Sequence, residues 1–372
     1  MTVKSSTAGP GRVVTGNISW NNGNLPDSGT IKWCSPSNIA LVKYWGKRKG
    51  QVPENPSISI TLSNSYTETA VSYSPAKGSR GRLTGFFFDG KKMMSFADRI
   101  EKYLLQVETL YPFLEGYDLS VETENSFPHS SGIASSASAM SALALCLTSM
   151  ERRLFNSPSD DHSFYRKASY AARTGSGSAS RSVYPGYVLW GKTGSVYHSA
   201  DEFAVPLEEN IHKDLSDMGD AILIVDESPK KVSSSRGHAL MDSNPWSAVR
   251  YEQARMHAGR LIEVLASGDS GEFVRLVEKE AMTLHSLMMS SDPGYILMKP
   301  GTLEIIERVQ GFRETTKIPV AFTLDAGPNV HLVYPVNFRE SVIDLIENEL
   351  AGFCSNGKWI DDAMGRGPVQ ID

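Results

Sequence analysis

The sequence predicts an α+β fold in which strands and helices follow one another in an irregular order. Segments in which apolar and polar residues nearly alternate, such as SISITLSNSYTETAVSYS from residue 57, are typical of strands. Other segments place apolar residues at helical spacing, as in ADRIEKYLLQVETLY. Because no regular strand–helix–strand alternation runs along the chain, an α+β fold is favoured over a doubly wound sheet.

The first half of the chain contains most of the predicted strands. We expect strands in IKWCSPSNIALVKYW, in the segment from residue 57, and in GRLTGFFFDG, YDLSVETEN and GYVLWG. Helices are predicted over ADRIEKYLLQVETLY, over 163–173 and after the loop SSGIASSASAM. The last of these has a stripe of apolar residues that we expect to be buried: Met140, Leu143, Ala144, Leu147 and Met150.

The second half is richer in helices. Helical patterns cover WSAVRYEQARMHAGRLIEVLAS, GEFVRLVEKEAMTLHSLMM and 302–310, whereas AILIVDES and PVAFTLDAGPNVHLVYP contain strands and PKKVSSSRG is a predicted loop. A chain of 372 residues is long enough for two domains. We predict a flexible extension over 1–28, an N-terminal domain over 29–210 and a C-terminal domain over 211–372, with the boundary in the polar segment PLEENIHKDLSD.

The overall composition argues against several classes of partner. With 37 basic and 42 acidic residues the net charge is −5, which gives no general attraction to nucleic acid or to an anionic membrane. Cys34, Cys146 and Cys354 form no CxxC pair, so we expect no disulfide framework and no zinc site. Apolar runs such as AILIV are too short to span a bilayer. We therefore predict a cytoplasmic protein that binds neither nucleic acid nor membrane.

The segment SSGIASSASAM crowds small residues in front of a predicted helix. This pattern lets backbone N–H groups at a helix N-terminus point at an anion, with Ser135 and Ser136 adding hydroxyl ligands to a phosphate or to its magnesium. The alternative is a helix cap that packs tightly against a neighbour. The common nucleotide motifs GxxxxGK[ST] and GxGxxG are absent, so a phosphate site here is of another type.

Charged residues stand in three further segments, each with two interpretations. Arg181 in GSGSASRSVYPG has two interpretations. Its guanidinium binds a carboxylate or a phosphate through paired donors, or it is a solvated arginine in a surface turn. Asp325 in TLDAGPNVHLVY is either a general base for a hydroxyl or a turn former that bonds its own backbone. Lys43 and Lys47 in SPSNIALVKYWGKRKG either form an electropositive wall for a polyanion or are solvated at a strand end.

Taken in order, these segments resemble motifs of the GHMP kinase superfamily and, within it, of the diphosphomevalonate decarboxylases. The phosphate loop P-x-x-x-G-[LI]-x-S-S-[AS] is matched from Pro128 to Ala137. The decarboxylase motifs NIAxxKYWGKR, GSGSAxRS and FDAGPN are matched by Asn38 to Arg48, Gly175 to Ser182 and Leu324 to Asn329. The resemblance covers residues 31–335.

The resemblance implies a two-lobed fold, an N-terminal ribosomal-protein-S5-like domain and a C-terminal ferredoxin-like domain, with the active site in the cleft between them. It implies that ATP, with Mg²⁺, phosphorylates the 3-hydroxyl of mevalonate 5-diphosphate, and that the intermediate loses phosphate and carbon dioxide to give isopentenyl diphosphate. It also implies a homodimer.

The resemblance assigns roles position by position. Asp325 orients or deprotonates the hydroxyl, Arg181 holds the substrate carboxylate, and Lys43 lies near the reacting centre. The residues implied to bind the substrate and its diphosphate are Tyr44, Lys47, Arg99, Ser176, Ser178 and Ser234. The residues implied to bind the ATP phosphates are Pro128, Gly132, Ile133, Ala134, Ser135 and Ser136, the last also meeting Mg²⁺ through ATP.

Three other functions compete with this interpretation. A kinase of the same superfamily would stop at a phosphorylated product, and a related decarboxylase would act on mevalonate 5-phosphate. A catalytically inactive ligand-binding protein would have retained only the fold. The presence of Asp325, Arg181 and Lys43 together favours decarboxylation, since a kinase does not need the whole set.

Overall fold

The computed structural model describes residues 28–127, 133–155, 160–228 and 232–371. Both helices and sheets are present, and the predicted α+β class is confirmed. Within these ranges each helix falls short, in length or in apolar content, of what a membrane span requires.

The strands fall into one large sheet, one smaller sheet and one short hairpin. In chain order they are β1 (Gly29–Val42), β2 (Lys47–Arg48), β3 (Val52–Pro53), β4 (Ser57–Pro75), β5 (Leu83–Phe88), β6 (Lys91–Lys92), β7 (Tyr117–Asn125), β8 (Tyr187–Trp190), β9 (Ala204–Pro206), β10 (Met218–Leu223), β11 (Ala321–Thr323), β12 (Val330–Pro335), β13 (Trp359–Ala363) and β14 (Val369–Gln370).

The α-helices lie between and after these strands. They are α1 (Met94–Val107), α2 (Ser135–Phe155), α3 (Asp161–Gly175), α4 (Ser234–Leu240), α5 (Ser247–Ser267), α6 (Ser270–Met289), α7 (Pro300–Thr316) and α8 (Arg339–Leu345).

The large sheet is built on the long antiparallel pair β1–β4. Its strand order is β14-β1-β4-β7-β5-β6, while β8 pairs with the beginning of β4 and with β9. The register runs from Gly29 opposite Tyr73 to Val42 opposite Ile58, so β1 leaves the sheet directly before Lys43. Helices α1, α2 and α3 bury apolar side chains against this sheet, in a core to which Val71, Val121 and Leu147 belong.

The smaller sheet has the antiparallel order β11-β12-β10-β13. Helices α7 and α8 contribute Ile305 and Leu345 to the core on this sheet. Another core joins the two sheets, since Ile39 of β1, Ile222 of β10 and Leu261 of α5 belong to one buried cluster. The end of β1 and the loop after β11 are therefore held close together, and the candidate site lies between them.

Strong periodicity predicted the elements well. The predicted strand YDLSVETEN coincides with β7, and all five members of the predicted stripe on α2 are buried. The predicted loop PKKVSSSRG is wrong in its second half, because α4 begins at Ser234. The Ser233 hydroxyl caps this short helix by accepting a hydrogen bond from the Arg236 N–H at 3.3 Å. Strands β13 and β14 and helix α8 were not predicted.

The core of the large sheet gives a stability prediction. Leu147 on α2 is fully buried, so Leu147→Ala removes packed methyl groups and leaves a cavity. We expect the free energy of unfolding to fall by about 2–5 kcal/mol. Urea denaturation followed by circular dichroism measures this change. Leu105→Ala on α1 is the control, since this leucine is 59% exposed and its loss should cost less than about 0.5 kcal/mol. Equal losses for the two variants would contradict the described core.

Candidate active site

A cavity of about 160 Å³ lies where the end of β1, the start of α2, the end of α3 and the loop after β11 meet. Most of the residues predicted from the sequence line it: Lys43, Tyr44, Lys47, Arg99, Ala134, Ser136, Ser176, Ser178, Arg181, Ser234 and Asp325. Ile133 and Ser135 line an adjoining cavity. Pro128 and Gly132 lie outside the described residues.

Lys43 and Asp325 form an ion pair in the lining of the cavity. The Lys43 Nζ donates to the Ala40 carbonyl at 2.6 Å and to Asp325 Oδ1 at 3.1 Å. The lysine side chain is 2% exposed and the aspartate side chain is 32% exposed. Burial lowers the pKa of Lys43, and the charge of Asp325 opposes this shift. The solvated alternative for Lys43 is therefore wrong, and Asp325 turns one face to the cavity.

Arg181 is a second buried cation beside this pair. A 3₁₀ turn over Gly177–Ser180 leads into it, and its guanidinium donates to Ser57 Oγ at 2.7 Å and to Asn38 Oδ1 at 3.1 and 3.3 Å. Among the described residues no carboxylate lies within salt-bridge distance of it. Burial lowers its pKa to about 10, so the guanidinium stays charged at neutral pH. The interpretation as a solvated arginine is wrong, and the side chain is set up to receive an anion.

A more exposed pair of cations stands at another part of the cavity. Lys47 on β2 donates to Gln51 Oε1 at 2.8 Å, and Arg99 projects from α1. Burial lowers the pKa of Lys47, and repulsion from Arg99 lowers it further. In the described parts of the chain, neither cation forms a salt bridge within 4.0 Å. Two cations that line one cavity and lack a salt-bridged carboxylate among the described residues suit a polyanion.

Tyr44 supplies an uncharged polar group to the same cavity. Its hydroxyl is buried and has no hydrogen-bond partner among the described residues. The ring packs against Trp190 and His238, with centroids 4.6 and 4.4 Å away. Gly177 permits this packing, since a Cβ there would lie 2.8 Å from both the Tyr44 hydroxyl and the Trp190 ring. Burial raises the pKa of Tyr44, so the hydroxyl remains protonated and able to donate to a ligand.

The N-terminus of α2 brings hydroxyls to the cavity. The helix begins at Ser135, a feature that the helix-cap interpretation and the anion-site interpretation of this segment both require. Ser136 Oγ lies 3.3 Å from Ser176 Oγ, which joins this helix start to the end of α3. A larger cavity of about 450 Å³ continues from the same point, with an apolar lining that includes Phe86, Phe88 and Phe96.

Several residues that shape the site were not predicted from the sequence. Asn38 belongs to the motif NIAxxKYWGKR, so the sequence contained a signal that could have identified it. Its side-chain oxygen accepts a hydrogen bond from the Arg181 guanidinium. His285 on α6 bonds the Asp325 carbonyl at 3.1 Å, and Glu280 on the same helix bonds the Lys43 N–H at 2.8 Å. Nothing in the pattern of α6 distinguishes these two residues from other polar positions on a half-buried helix.

Comparison with solved structures identifies the class of fold. The crystal structure of mevalonate diphosphate decarboxylase from Staphylococcus aureus superposes with a TM-score of 0.79 at 28% identity, covering 93% of this chain and 98% of that one. A second protein, solved in complex with MVAPP, AMPPCP and magnesium, has a TM-score of 0.76 at 24% identity and covers 93% of this chain and 99% of its own. The second likeness supports the fold alone.

Sequence comparison then identifies the family. Residues 35–203 match the diphosphomevalonate decarboxylase-like N-terminal domain, and residues 221–363 match the mevalonate 5-diphosphate decarboxylase C-terminal domain. The diphosphomevalonate decarboxylase of Eremothecium gossypii is 30% identical over 338 residues, which are 86% of this chain and 79% of that protein. The chain belongs to the diphosphomevalonate decarboxylase family.

The ion pair at the base of the cavity yields a prediction that does not depend on activity. Asp325→Asn removes the negative charge that opposes the effect of burial on Lys43, so the pKa of Lys43 should fall further. We expect a decrease of about 1–3 units. The ¹³C chemical shift of the Lys43 Cε, followed against pH by NMR and assigned with Lys43→Arg, measures it. An unchanged midpoint would mean that the two side chains do not interact in solution.

Proposed function

We propose that this chain converts mevalonate 5-diphosphate to isopentenyl diphosphate, with consumption of ATP and release of ADP, phosphate and carbon dioxide. This is the decarboxylation step of the mevalonate pathway of isoprenoid biosynthesis. The observation that carries the proposal is the convergence on one cavity of a buried Arg181, a buried Lys43 paired with a partly exposed Asp325, and the N-terminus of α2. Family membership supports it.

ATP binds at the start of α2 in this proposal. The first N–H groups of a long helix and the hydroxyls of Ser135 and Ser136 are suited to phosphate oxygens. The adjoining apolar cavity meets the first cavity at Arg99, Ala134, Ser136 and Ser234, so it is placed to receive the base and ribose. Pro128, Gly132, Ile133 and Ala134 complete the phosphate loop in the proposal.

Mg²⁺ fits the donor set of this region as an ion that enters with the phosphates. Mg²⁺ prefers oxygen ligands and is commonly held by few protein groups together with substrate phosphates. The Ser136 hydroxyl is an oxygen donor that lines both cavities. Among the described residues no cluster of three or more His, Cys, Asp or Glu side chains is placed to hold a metal ion. Bound in this way, Mg²⁺ would neutralise charge on the transferring phosphoryl group.

The substrate has two anionic ends, and the cavity has two kinds of cation. Arg181 holds the carboxylate, because its fork is buried and lacks a carboxylate partner in the described chain. Lys47 and Arg99 hold the diphosphate at the more exposed part. Hydroxyl groups share in binding the substrate and its diphosphate: Tyr44, Ser176, Ser178 and Ser234. The 3-hydroxyl then lies beside Asp325.

Asp325 and Lys43 act on the 3-hydroxyl in the phosphorylation step. A tertiary hydroxyl is a poor nucleophile, so the Asp325 carboxylate accepts its hydrogen bond and takes its proton as the oxygen attacks the γ-phosphorus of ATP. The oxygen–phosphorus bond to ADP breaks as the new one forms. The Lys43 Nζ, 3.1 Å from Asp325 Oδ1, orients the carboxylate before the transfer through a charge-assisted hydrogen bond.

The same residues act on the elimination that follows. The bond from carbon 3 to its phosphorylated oxygen breaks and phosphate leaves with the electron pair, so positive charge grows at carbon 3. The electron pair of the bond between carbons 1 and 2 then forms the double bond between carbons 2 and 3, and carbon dioxide departs. After Asp325 has released to solvent the proton that it took, its anionic carboxylate beside carbon 3 stabilises the developing charge. Arg181 fixes the carboxylate so that the breaking bond is aligned.

The location and assembly of the protein also belong to the proposal. All three cysteines are free thiols, and two of them are buried, which agrees with a reducing compartment and the cytoplasmic location we propose. A homodimer and a domain boundary near residues 205–216 remain predictions.

The proposal is tested by following ADP and carbon dioxide together, with mevalonate, its 5-phosphate and its 5-diphosphate offered in parallel. We expect equal release of both products from the 5-diphosphate alone. Asp325→Asn should lower kcat by about 100- to 10,000-fold, because it removes the base, while ATP binding measured by calorimetry is retained. ADP without carbon dioxide would identify a kinase, and activity confined to the 5-phosphate would move the diphosphate contacts to another role. Release of neither ADP nor carbon dioxide from any of the three substrates would reject the proposed function.

The outer cations give a prediction about binding. Arg99→Gln removes one of the two charges proposed to hold the diphosphate, so KM for mevalonate 5-diphosphate should rise about tenfold with kcat changed less than about twofold. Lys102→Gln on the same helix is the control, since Lys102 is also exposed and lines neither cavity. Steady-state kinetics at fixed ionic strength measure both variants. An equal rise in KM for the two would point to general electrostatic attraction instead of a diphosphate contact.

A further inference from the structure

The main chain of Lys43 is held by side chains instead of by a neighbouring strand. The β1–β4 ladder ends at Val42, so the peptide groups of Lys43 have no strand partner. The Lys43 N–H donates to Glu280 Oε2 at 2.8 Å. Its carbonyl accepts from Asn55 Nδ2 at 3.0 Å and from Arg250 Nη2 at 3.3 Å. Both peptide groups of this residue are therefore satisfied by side chains, of which those of Glu280 and Arg250 lie 237 and 207 residues away in the sequence.

Glu280 and Arg250 form a bidentate ion pair behind Lys43. The two Arg250 nitrogens lie 2.7 and 2.6 Å from the two Glu280 oxygens, and both side chains are at most 1% exposed. His257 Nδ1 lies 2.6 Å from the same carboxylate. Burial alone would raise the pKa of Glu280, but Arg250 and His257 hold it at about 2, so the carboxylate is ionised. The two parallel hydrogen bonds of this buried pair restrict the orientation of both side chains.

His285 makes a comparable contact to the main chain of Asp325. Its Nε2 lies 3.1 Å from the Asp325 carbonyl, and because a carbonyl only accepts, this nitrogen carries the hydrogen. The ring is 1% exposed, and burial lowers its pKa to about 4, so it is neutral at physiological pH. Glu280 and His285 both belong to α6, whose apolar residues Phe273, Val277 and Leu284 are buried in the cores.

We infer that α6 is the element that sets the distance between Lys43 and Asp325, with Glu280 and His285 as positioning residues. Each fixes the main chain of one partner, and both partners stand outside any strand ladder, Lys43 after β1 and Asp325 after β11. A packed helix of 20 residues is more rigid than either loop, so the 3.1 Å contact depends on it. This inference rests on the proposed function, in which the two side chains act together.

Glu280→Gln tests the first half of the inference. It keeps the shape of the side chain but removes the charge that fixes Arg250 and through it the carbonyl of Lys43. We expect kcat to fall by about 10- to 100-fold, because a small displacement of a catalytic group is costly, with KM for mevalonate 5-diphosphate within about twofold of wild type. The matched control is Glu278→Gln. Glu278 lies on the same helix and pairs with Arg313 at 2.7 and 3.0 Å, away from the cavity.

Both substitutions remove a bidentate ion pair from α6, so both should lower Tm. For this reason kcat is expressed per folded molecule, with the folded fraction measured by circular dichroism. Loss of kcat in Glu280→Gln alone supports positioning. Equal kcat values for the two variants, or an effect of Glu280→Gln on KM alone, would overturn it.

His285 provides the second test, which remains decisive if Glu280→Gln does not fold. His285→Leu removes the hydrogen bond to the Asp325 carbonyl and should lower kcat by about tenfold or more, whereas His285→Gln keeps an N–H donor and should restore most of it. Equal activity of the leucine variant and wild type would refute the role of His285. Wild-type protein that forms no product would instead reject the proposed function, so the two failures are distinguishable.

Discussion

The rest of the site depends on burying one ammonium group, that of Lys43, against one carboxylate, that of Asp325. A charge of this kind is stable away from water only when it is paired and hydrogen-bonded. Its partners come from opposite parts of the chain, since Ala40 lies on β1 and Asp325 follows β11. The two sheets must therefore pack together before the ammonium is satisfied. The Lys43–Asp325 ion pair of the reactive centre therefore forms only when the two sheets are packed as in the folded protein.

The cations of the cavity are arranged by depth. Lys43 and Arg181 are almost completely buried, whereas Lys47 is half-buried and Arg99 is exposed. Electrostatic interactions are stronger and more directional where water is excluded, and weaker but more tolerant near solvent. A molecule with a carboxylate at one end and a diphosphate at the other matches this order. The buried end provides precise geometry for bond breaking, and the outer end provides attraction.

Sequence patterns were sufficient where the cause of structure is local. Alternation defined β7, and helical spacing defined the buried stripe of α2, because both reflect how neighbouring residues face one core. Composition could not decide whether Arg181 is solvated in a surface turn or buried as an anion-binding group. The reason is that its burial depends on strands that are distant in sequence. Glu280 could not be recognised at all, because its contact with Lys43 spans 237 residues and lies on an ordinary half-buried helix.

The histidines around the cavity have a consequence for its response to acid. The Gly46 N–H donates to His238 Nδ1, and burial, with help from Lys47, lowers the pKa of His238 to about 3, while that of His285 is about 4. Histidine is the side chain that ordinarily gains charge between about pH 8 and pH 5. Here both rings stay neutral across that interval, so they serve as packing and hydrogen-bonding groups. Mild acidification of the surroundings adds no positive charge to the cavity through either ring.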